Sequence, residues 1–399
     1  MKILHTSDWH VGKTIRGQSR IGEHEAVLAE ITAIASDEAV DLVLVTGDLF
    51  DSAAPPPEAE RVVFQALLGL AGTGASVLVI AGNHDNERRL QAVTPLLALG
   101  RIITRPAFLG PEQGGIATVT SRDGSEQAKV ALIPFLSQRY VIRAQQLMDA
   151  GGDEHGQRYA AKVSQLIAWL CEAFGPDTVN IVAAHLMVDG GKLGGGERLA
   201  QTIFDYSVPA HAFPASAHYA ALGHLHRTQR VRGAGCPAWY AGSPLQLDFG
   251  ETSDEKGVLL VEVAAGKPAS APRIMPLRSG RRLVKITGTL AQLAARAEAG
   301  DLPAEGEAFV KVVVQEATRV GLADEVRALV PDAVDVVIEA PAGEGPARLR
   351  ETTAGRSPHD LFASYLAEQG VDDERVAALF DQLLIETSEG ANSEADGAA

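Results

Sequence analysis

Cysteine is nearly absent: 399 residues carry only Cys171 and Cys236, far apart and without a CxxC partner. That argues against a disulfide scaffold or a thiolate zinc ribbon and suits a reducing compartment. Aromatic residues make up only 5% of the chain, which gives no sign of serial base-stacking platforms. No apolar run reaches 18 residues, and the first residues read as a short strand rather than a basic segment followed by an apolar core. The expectation is a cytoplasmic protein without a membrane span. Positive charge is in deficit too, with a formal net charge of −16, which argues against nucleic-acid binding through the overall field. Part of the acidity sits at 389–399, in "EGANSEADGAA", a composition expected to be disordered. Basic residues remain in local clusters: Lys13, Arg16 and Arg20; Arg88 and Arg89; Arg227, Arg230 and Arg232; Arg278, Arg281 and Arg282. No GxxxxGK[ST] loop occurs, so no ATP site is expected in this chain.

What is present is ordinary globular material, 46% hydrophobic, in a chain long enough for two or three domains. Its first part alternates: strand "KILHT", an amphipathic stretch at 23–38 with Val27, Leu28, Ile31 and Ile34 at helical spacing, strand "DLVLVTGD", a proline-led helix "PPPEAERVVFQALLGLA" and strand "ASVLVIAGNHD". This β-α-β-α-β order predicts a layered α/β domain. Shorter strands follow near 115–120 and 129–134, then helices near 138–149 and 157–174, then strand "VNIVAAH". The strands "HYAALGHLH", "QRVRG", "AWYAGS" and "GVLLVEV", joined by short turns, suggest a second and largely antiparallel sheet. The expected fold is therefore a two-sheet α/β sandwich flanked by helices over 1–278. A small α/β domain is expected at 282–340, a Pro/Gly-rich linker at 341–356 and a helix pair at 357–388. In that pair, Ser357 and Pro358 open a helix carrying Leu361, Phe362, Tyr365 and Leu366, and Gly370 ends it. The second helix carries Val376, Leu379, Phe380, Leu383 and Leu384. Such a face predicts a docking partner. The helices near 58–71 and 87–99 also hold more apolar positions than one core-facing stripe needs: Val62, Val63, Ala66, Leu67 and Leu70, then Leu90, Val93, Leu96 and Leu97.

The strong strands of the large domain share one kind of ending. They run into Asp8 and His10, into Asp48 and Asp51, into Asn83, His84 and Asp85, into His185, and into His224 and His226. Each ending alone has a structural explanation as a turn or a satisfied core histidine. Parallel strands set their carboxyl ends side by side, however, and five such endings together predict a metal site. Carboxylate, amide and imidazole donors without thiolate favour Mn²⁺ or Fe²⁺ over structural zinc. So many donors suit two ions about 3.5–4 Å apart, bridged by one carboxylate, as in displacement at phosphorus.

The series D-x-H, GD-x-x-D, GNHD, a lone His and G-H-x-H resembles the calcineurin-like metallophosphoesterase superfamily. More narrowly, "HTSDWHVGK", "GDLFDS", "AGNHD", "ALGHLHR" and "YAGSPLQLDFGE" resemble the SbcD nuclease family, from Met1 to roughly Gly250. The resemblance implies a first metal held by Asp8, His10, Asp48 and His226. It implies a second, held by Asp48, Asn83, His185 and His224, with two Mn²⁺ the expected cofactors and Mg²⁺ or Fe²⁺ as substitutes. His84 is then left beside the scissile phosphate, to stabilise the transition state or protonate the leaving oxygen. Asp51, just after Asp48, is the candidate carboxylate to orient His84, with a plain turn residue as the alternative. The family implies a nucleoid-associated DNA repair nuclease, with 3′→5′ exonuclease action on duplex ends and endonuclease action on single strands and hairpins. The implied partner is a coiled-coil SbcC-type ATPase, in a heterotetramer built on a homodimer of this chain, with 282–340 as a capping domain and 357–388 as the ATPase docking element. The alternative is a small-molecule or protein phosphoesterase with the same metal core.

Overall fold

Runs such as Leu42–Thr46 and Ser76–Ile80, apolar at nearly every position, need cover on both faces, and they obtain it between layers. The computed structural model describes residues 1–137, 152–195 and 207–339, together with Phe362, Tyr365, Leu366, Arg375, Val376, Leu379 and Phe380. Lys2–Thr6, Leu42–Thr46, Ser76–Ile80 and Ile102–Arg105 run parallel in a six-stranded sheet, to which Gly257–Glu262 adds antiparallel beside Lys2–Thr6 and Arg273–Pro276 adds antiparallel beside Gly257–Glu262. In the second six-stranded sheet Gln127–Ile133, Val179–His185, Tyr219–Gly223 and Ala238–Tyr240 are parallel, with Ile116–Thr120 and Gln229–Val231 antiparallel at its edges.

Two expectations are corrected here. The second sheet is chiefly parallel, and "GVLLVEV" belongs to the first sheet. After Gly223 the chain passes to the edge strand Gln229–Val231 and returns, so that Ala238–Tyr240 is antiparallel to that edge but parallel to Tyr219–Gly223. A short turn thus does not imply that both neighbours of a strand are antiparallel. The fully buried run "YAALG" carries the better signal, since parallel strands are covered on both faces.

Between the sheets pack Ile3, Leu44, Leu78, Val130, Ile181 and Leu259. Outside the first sheet, helices Ile21–Asp37 and Pro57–Gly72 bring Val27, Ile31, Val63 and Leu67 against Leu4, Val43 and Val77. Outside the second, Gly152–Cys171 brings Val163 and Ile167 against Val182 and Ala220. Each such aliphatic side chain contributes about 1.5–3 kcal/mol on burial. A small polar cluster interrupts the central layer. His5 reaches the Tyr219 hydroxyl at 3.0 Å and Thr46 Oγ1 at 3.1 Å, and burial pushes its pKa down to about 3.

Most of the apolar positions on helices Pro57–Gly72 and Glu87–Ala98 face their own core. Val62, Val63, Leu67, Leu70, Leu90 and Leu97 are buried, and Ala66 and Val93 pack beside them. The surplus is instead Leu96 with the unanticipated Leu68 and Leu99, exposed by 67%, 51% and 86%.

A smaller sheet of Arg282–Gly288, Ala308–Val314 and Ala333–Ile338, all parallel, carries helices Leu290–Glu298 and Leu322–Leu329 around Ile286, Leu293, Val312 and Val326. Thr289 opens the first of these helices with a capping box, its Oγ1 accepting from Gln292 N while Gln292 Oε1 accepts from Thr289 N. This unit meets the large domain through Ile15, Phe249, Leu283 and Phe309. Arg281 lies over the Phe309 ring at 3.6 Å, and Arg16 pairs with Asp335 at 2.8 Å. Arg20, one of the basic cluster with Lys13 and Arg16, is buried against Glu23 and the Gln246 carbonyl.

The expected helix near 138–149, the linker at 341–356 and the tail at 389–399 lie outside the described residues. So does all of the helix pair except the seven residues named above, each of them helical. Among these, Phe362 and Phe380 stack with ring centroids 3.9 Å apart, while Tyr365 and Leu379 stay more than half exposed. Among the described residues no helix is long and apolar enough to cross a membrane.

Candidate metal centre

The strand endings come together at one rim. Lys2–Thr6, Leu42–Thr46 and Ser76–Ile80 share a direction in one sheet, as do Val179–His185 and Tyr219–Gly223 in the other. The two rims are tied directly. His185 Nδ1 donates to the Thr46 carbonyl at 2.7 Å, and Asp8 Oδ1 accepts from His224 N at 3.1 Å.

The backbone is bent to deliver these side chains. Asp8, His10, Asp48 and His224 take φ of 53°, 46°, 52° and 104°, a region that non-glycine residues rarely occupy. Bonds from Asp8 N to the Gly47 carbonyl and from His10 N to the Asp48 carbonyl, each 3.0 Å, hold two of these turns against the next strand's loop. Such strain persists where the surroundings over-determine it, and it gathers at functional sites. Glycine is required beside them. A Cβ on Gly47, whose φ is +95°, would collide with His185 Nδ1, and one on Gly82 would collide with the Asp48 carboxylate.

Asp8, His10 and His226 offer one atom each within 4.8 Å of one another, and so do Asp8, Asp48 and His185. Asp48 Oδ2 stands between the two groups, 3.5 Å from His10 Nε2 and 3.5 Å from His185 Nε2. On one side, Nε2 of His10 and Nε2 of His226 approach to 3.1 Å. On the other, Asn83 Oδ1 is met at 2.9 Å by both His185 Nε2 and His224 Nδ1. His185 and His226 each donate outward from Nδ1, to the Thr46 carbonyl and the Glu251 carboxylate, so Nε2 is the atom that each ring turns inward. Imidazole nitrogens with carboxylate and amide oxygens thus converge in a buried space, and a divalent cation, displacing the imidazole protons there, fits that set.

Electrostatics supports the same fit. Burial holds His10 neutral, with a pKa down to about 4, and His224 at about 3, where the nearby His185 charge adds to burial. Burial alone would raise the Asp48 carboxyl, but the His185 and His84 charges carry it well below the usual carboxylate range. Burial likewise disfavours charge on His185, yet Asp48 outweighs it and draws that ring up to about 9.

His84 stands at the edge of this set. Its N–H donates to Asp48 Oδ1 at 2.8 Å, and its ring meets His10 edge to face with centroids 4.7 Å apart. The partner of its Nδ1 is not the Asp51 carboxylate that the sequence suggested. It is the Asp51 main-chain carbonyl, at 2.8 Å. The Asp51 carboxylate turns to Lys13 at 3.3 Å and to His10 Nδ1 at 3.6 Å.

Two further residues were not given roles from sequence. Asp85 accepts from the backbone N–H groups of Gly82, Phe50 and Leu49 at 2.9, 3.1 and 3.2 Å, which joins the loop carrying Asp48 to the loop carrying Asn83. Burial and then Asp48 push its pKa up to about 6. Glu251 lies behind His226 and carries a charge, because bonds from His226 and Lys256 outweigh the burial that would raise it and bring it down to about 2. "GNHD" and "LDFGE" contain these residues, but spacing does not reveal which backbone or ring a carboxylate will meet.

The profile of the calcineurin-like phosphoesterase family matches residues 1–227. The chain belongs to that family. Three relatives place it within the family among the SbcD chains of SbcCD nucleases. The SbcD chain of nuclease SbcCD in Bacillus subtilis (strain 168) is 36% identical over 294 residues, 71% of this chain and 72% of that protein. Its counterpart in Rhodobacter capsulatus is 33% identical over 82% of this chain and 78% of its own. The one in Escherichia coli (strain K12) is 33% identical over 75% and 74%. The chain is thus a phosphoesterase, and its buried groups of carboxylate and imidazole donors fit the use of divalent metal.

Proposed function

We propose that this chain is the nuclease subunit of an SbcCD-type DNA repair complex, hydrolysing DNA phosphodiesters at a centre of two Mn²⁺ ions. The observation that carries the reading is the position of Asp48 between two buried donor groups, with His84 next to both. Asp8, His10, Asp48 and His226 would hold one ion, and Asp48, Asn83, His185 and His224 the other. When bound, the ions supply Lewis acidity to the scissile phosphate and to the attacking water.

The chain's own residues do the rest. Because His84 Nδ1 donates to the Asp51 carbonyl, Nε2 is the atom left to face the substrate. In its protonated form that nitrogen delivers a proton to the departing 3′-oxygen, an alkoxide that leaves poorly without one. Asp51 acts on this ring through its carbonyl, and its carboxylate, facing Lys13 and His10, steadies the first donor group. Exonuclease action on duplex ends and endonuclease action on single strands and hairpins complete the reading. The exposed Leu68, Leu96 and Leu99 support a homodimer whose twin sites straddle DNA. The apolar helix pair at 357–388 is the dock for an SbcC-type ATPase, giving a heterotetramer, and 282–340 caps the nuclease domain.

The test is an assay of the full chain with Mn²⁺, with and without the ATPase, on a linear duplex and on a nitrophenyl phosphodiester. Mn²⁺-dependent shortening of the duplex is expected. Turnover of the small ester alone, with the duplex left intact even beside the ATPase, would replace the nuclease with a small-substrate phosphoesterase.

A further inference from the structure

Behind His226 sits a carboxylate that the nuclease reading does not use. Glu251 ends the 3-10 turn Phe249–Glu251 and is fully buried. Its Oε1 accepts from His226 Nδ1 at 3.1 Å, while its Oε2 accepts from Lys256 Nζ at 2.7 Å and from Leu247 N at 3.0 Å. Lys256 Nζ also donates to the His226 carbonyl and to Ser243 Oγ, each at 3.0 Å. A buried ion pair is weak evidence for stability, because desolvation offsets its attraction, so its geometry is the more informative property.

We infer that Glu251 is a positioning residue for His226, holding the ring's proton on Nδ1 and so keeping the lone pair on Nε2. That Nε2 is the atom that meets His10 Nε2 at 3.1 Å. The inference rests on His226 being a metal ligand, as proposed above. An ionised carboxylate can only accept, which forces Nδ1 to donate. His10, the other imidazole of this group, has no comparable lock, since its Nδ1 stands 3.6 Å from Asp51. Hydrogen bonds of this kind fix the tautomer and orientation of a ligating histidine and raise its basicity, and losing one costs about 10–100-fold in metal affinity.

Lys256 and Leu247 make the isosteric variant informative. A glutamine has one acceptor oxygen, and in Glu251→Gln two donors compete for it from one side against a single donor on the other. The amide oxygen then turns to Lys256 and Leu247, and the NH₂ turns to His226. Nδ1 must now accept, and the ring proton moves to Nε2, where it blocks ligation.

The experiment uses the full chain with ¹⁵N-labelled histidine and reads the His226 nitrogens, identified by their loss in His226→Asn. In metal-free wild type the proton should reside on Nδ1, and in Glu251→Gln on Nε2. Calorimetric titration with Mn²⁺ should show two sites in the wild type, with one of them weakened about 10–100-fold in the variant. A wild-type proton on Nε2 would overturn the inference, and it needs no variant to fold. So would a variant that keeps the proton on Nδ1 and both wild-type affinities. A wild type that binds no Mn²⁺ would instead overturn the metal reading itself, a result distinct from two equally filled sites in both proteins.

Discussion

Replacing His84 with alanine should separate metal binding from cleavage. By position a His84 nitrogen, within 4.8 Å of atoms of His10 and Asp48, is in reach of an ion held by them. Its bonding argues otherwise: Nδ1 is spent on the Asp51 carbonyl at 2.8 Å, and the ring borders the donor groups without completing either. Truncation removes a ring that is 8% exposed and leaves that carbonyl without its partner, at a cost of about 1–3 kcal/mol. A domain of this kind has about 5–15 kcal/mol in hand, so the variant should fold. Proton delivery is worth about 10²–10⁴ in rate, or about 3–5 kcal/mol of barrier. His84→Ala should therefore retain two Mn²⁺ per chain by elemental analysis while cleaving an end-labelled duplex about 10²–10⁴-fold more slowly. Asp48→Ala is the contrasting case. It removes the atom 3.5 Å from both His10 and His185, and both ions should be lost together. Near-normal cleavage by a doubly loaded His84→Ala would refute the role. Loss of one ion from that variant would make His84 a ligand.

Other outcomes follow from elements away from the centre. A chain ending at Arg356 should keep Mn²⁺-dependent cleavage yet fail to co-purify with the ATPase, and tight binding by the truncated chain would show that 357–388 is not the dock. Sedimentation at micromolar concentration should give a dimer, which Leu96→Glu with Leu99→Glu should split; a monomeric wild type would contradict the dimer. His5 predicts a pH effect. Its folded pKa of about 3 lies below the 6.5 of the unfolded chain, so only the unfolded state takes up this proton as the pH falls through the interval. Metal-free stability should then drop by about 1.4 kcal/mol per pH unit between about pH 6 and 4 on account of this residue. His5→Asn should lower the slope by that amount, and an unchanged slope would show that His5 is not held neutral.

The convergence of these side chains was legible because they follow strands whose carboxyl ends align whatever the intervening length. Asp8, Asp48 and Asn83 needed only the strand order, and His185 and His224 needed only the expectation of a second sheet. The partner of His84 was not legible in the same way, since proximity of Asp51 does not distinguish its carboxylate from its carbonyl. Glu251 was hidden for a related reason: it reaches His226 from 25 residues away, on a 3-10 turn without periodicity. The direction of Ala238–Tyr240 depended on which neighbour it chose, Gln229–Val231 on one side and Tyr219–Gly223 on the other. Of the apolar positions expected in excess on two helices only Leu96 is exposed, and Leu68 and Leu99, which share its exposure, could be picked out only by knowing which stripe the core had taken.

Whether a pair of ions shares Asp48 is decided by anomalous diffraction at the manganese edge from crystals grown with Mn²⁺. Two peaks about 3.5–4 Å apart are expected. One should lie among Asp8, His10, Asp48 and His226, and the other among Asp48, Asn83, His185 and His224. A single peak at full Mn²⁺ occupancy, or two peaks with no shared Asp48 oxygen between them, would contradict it.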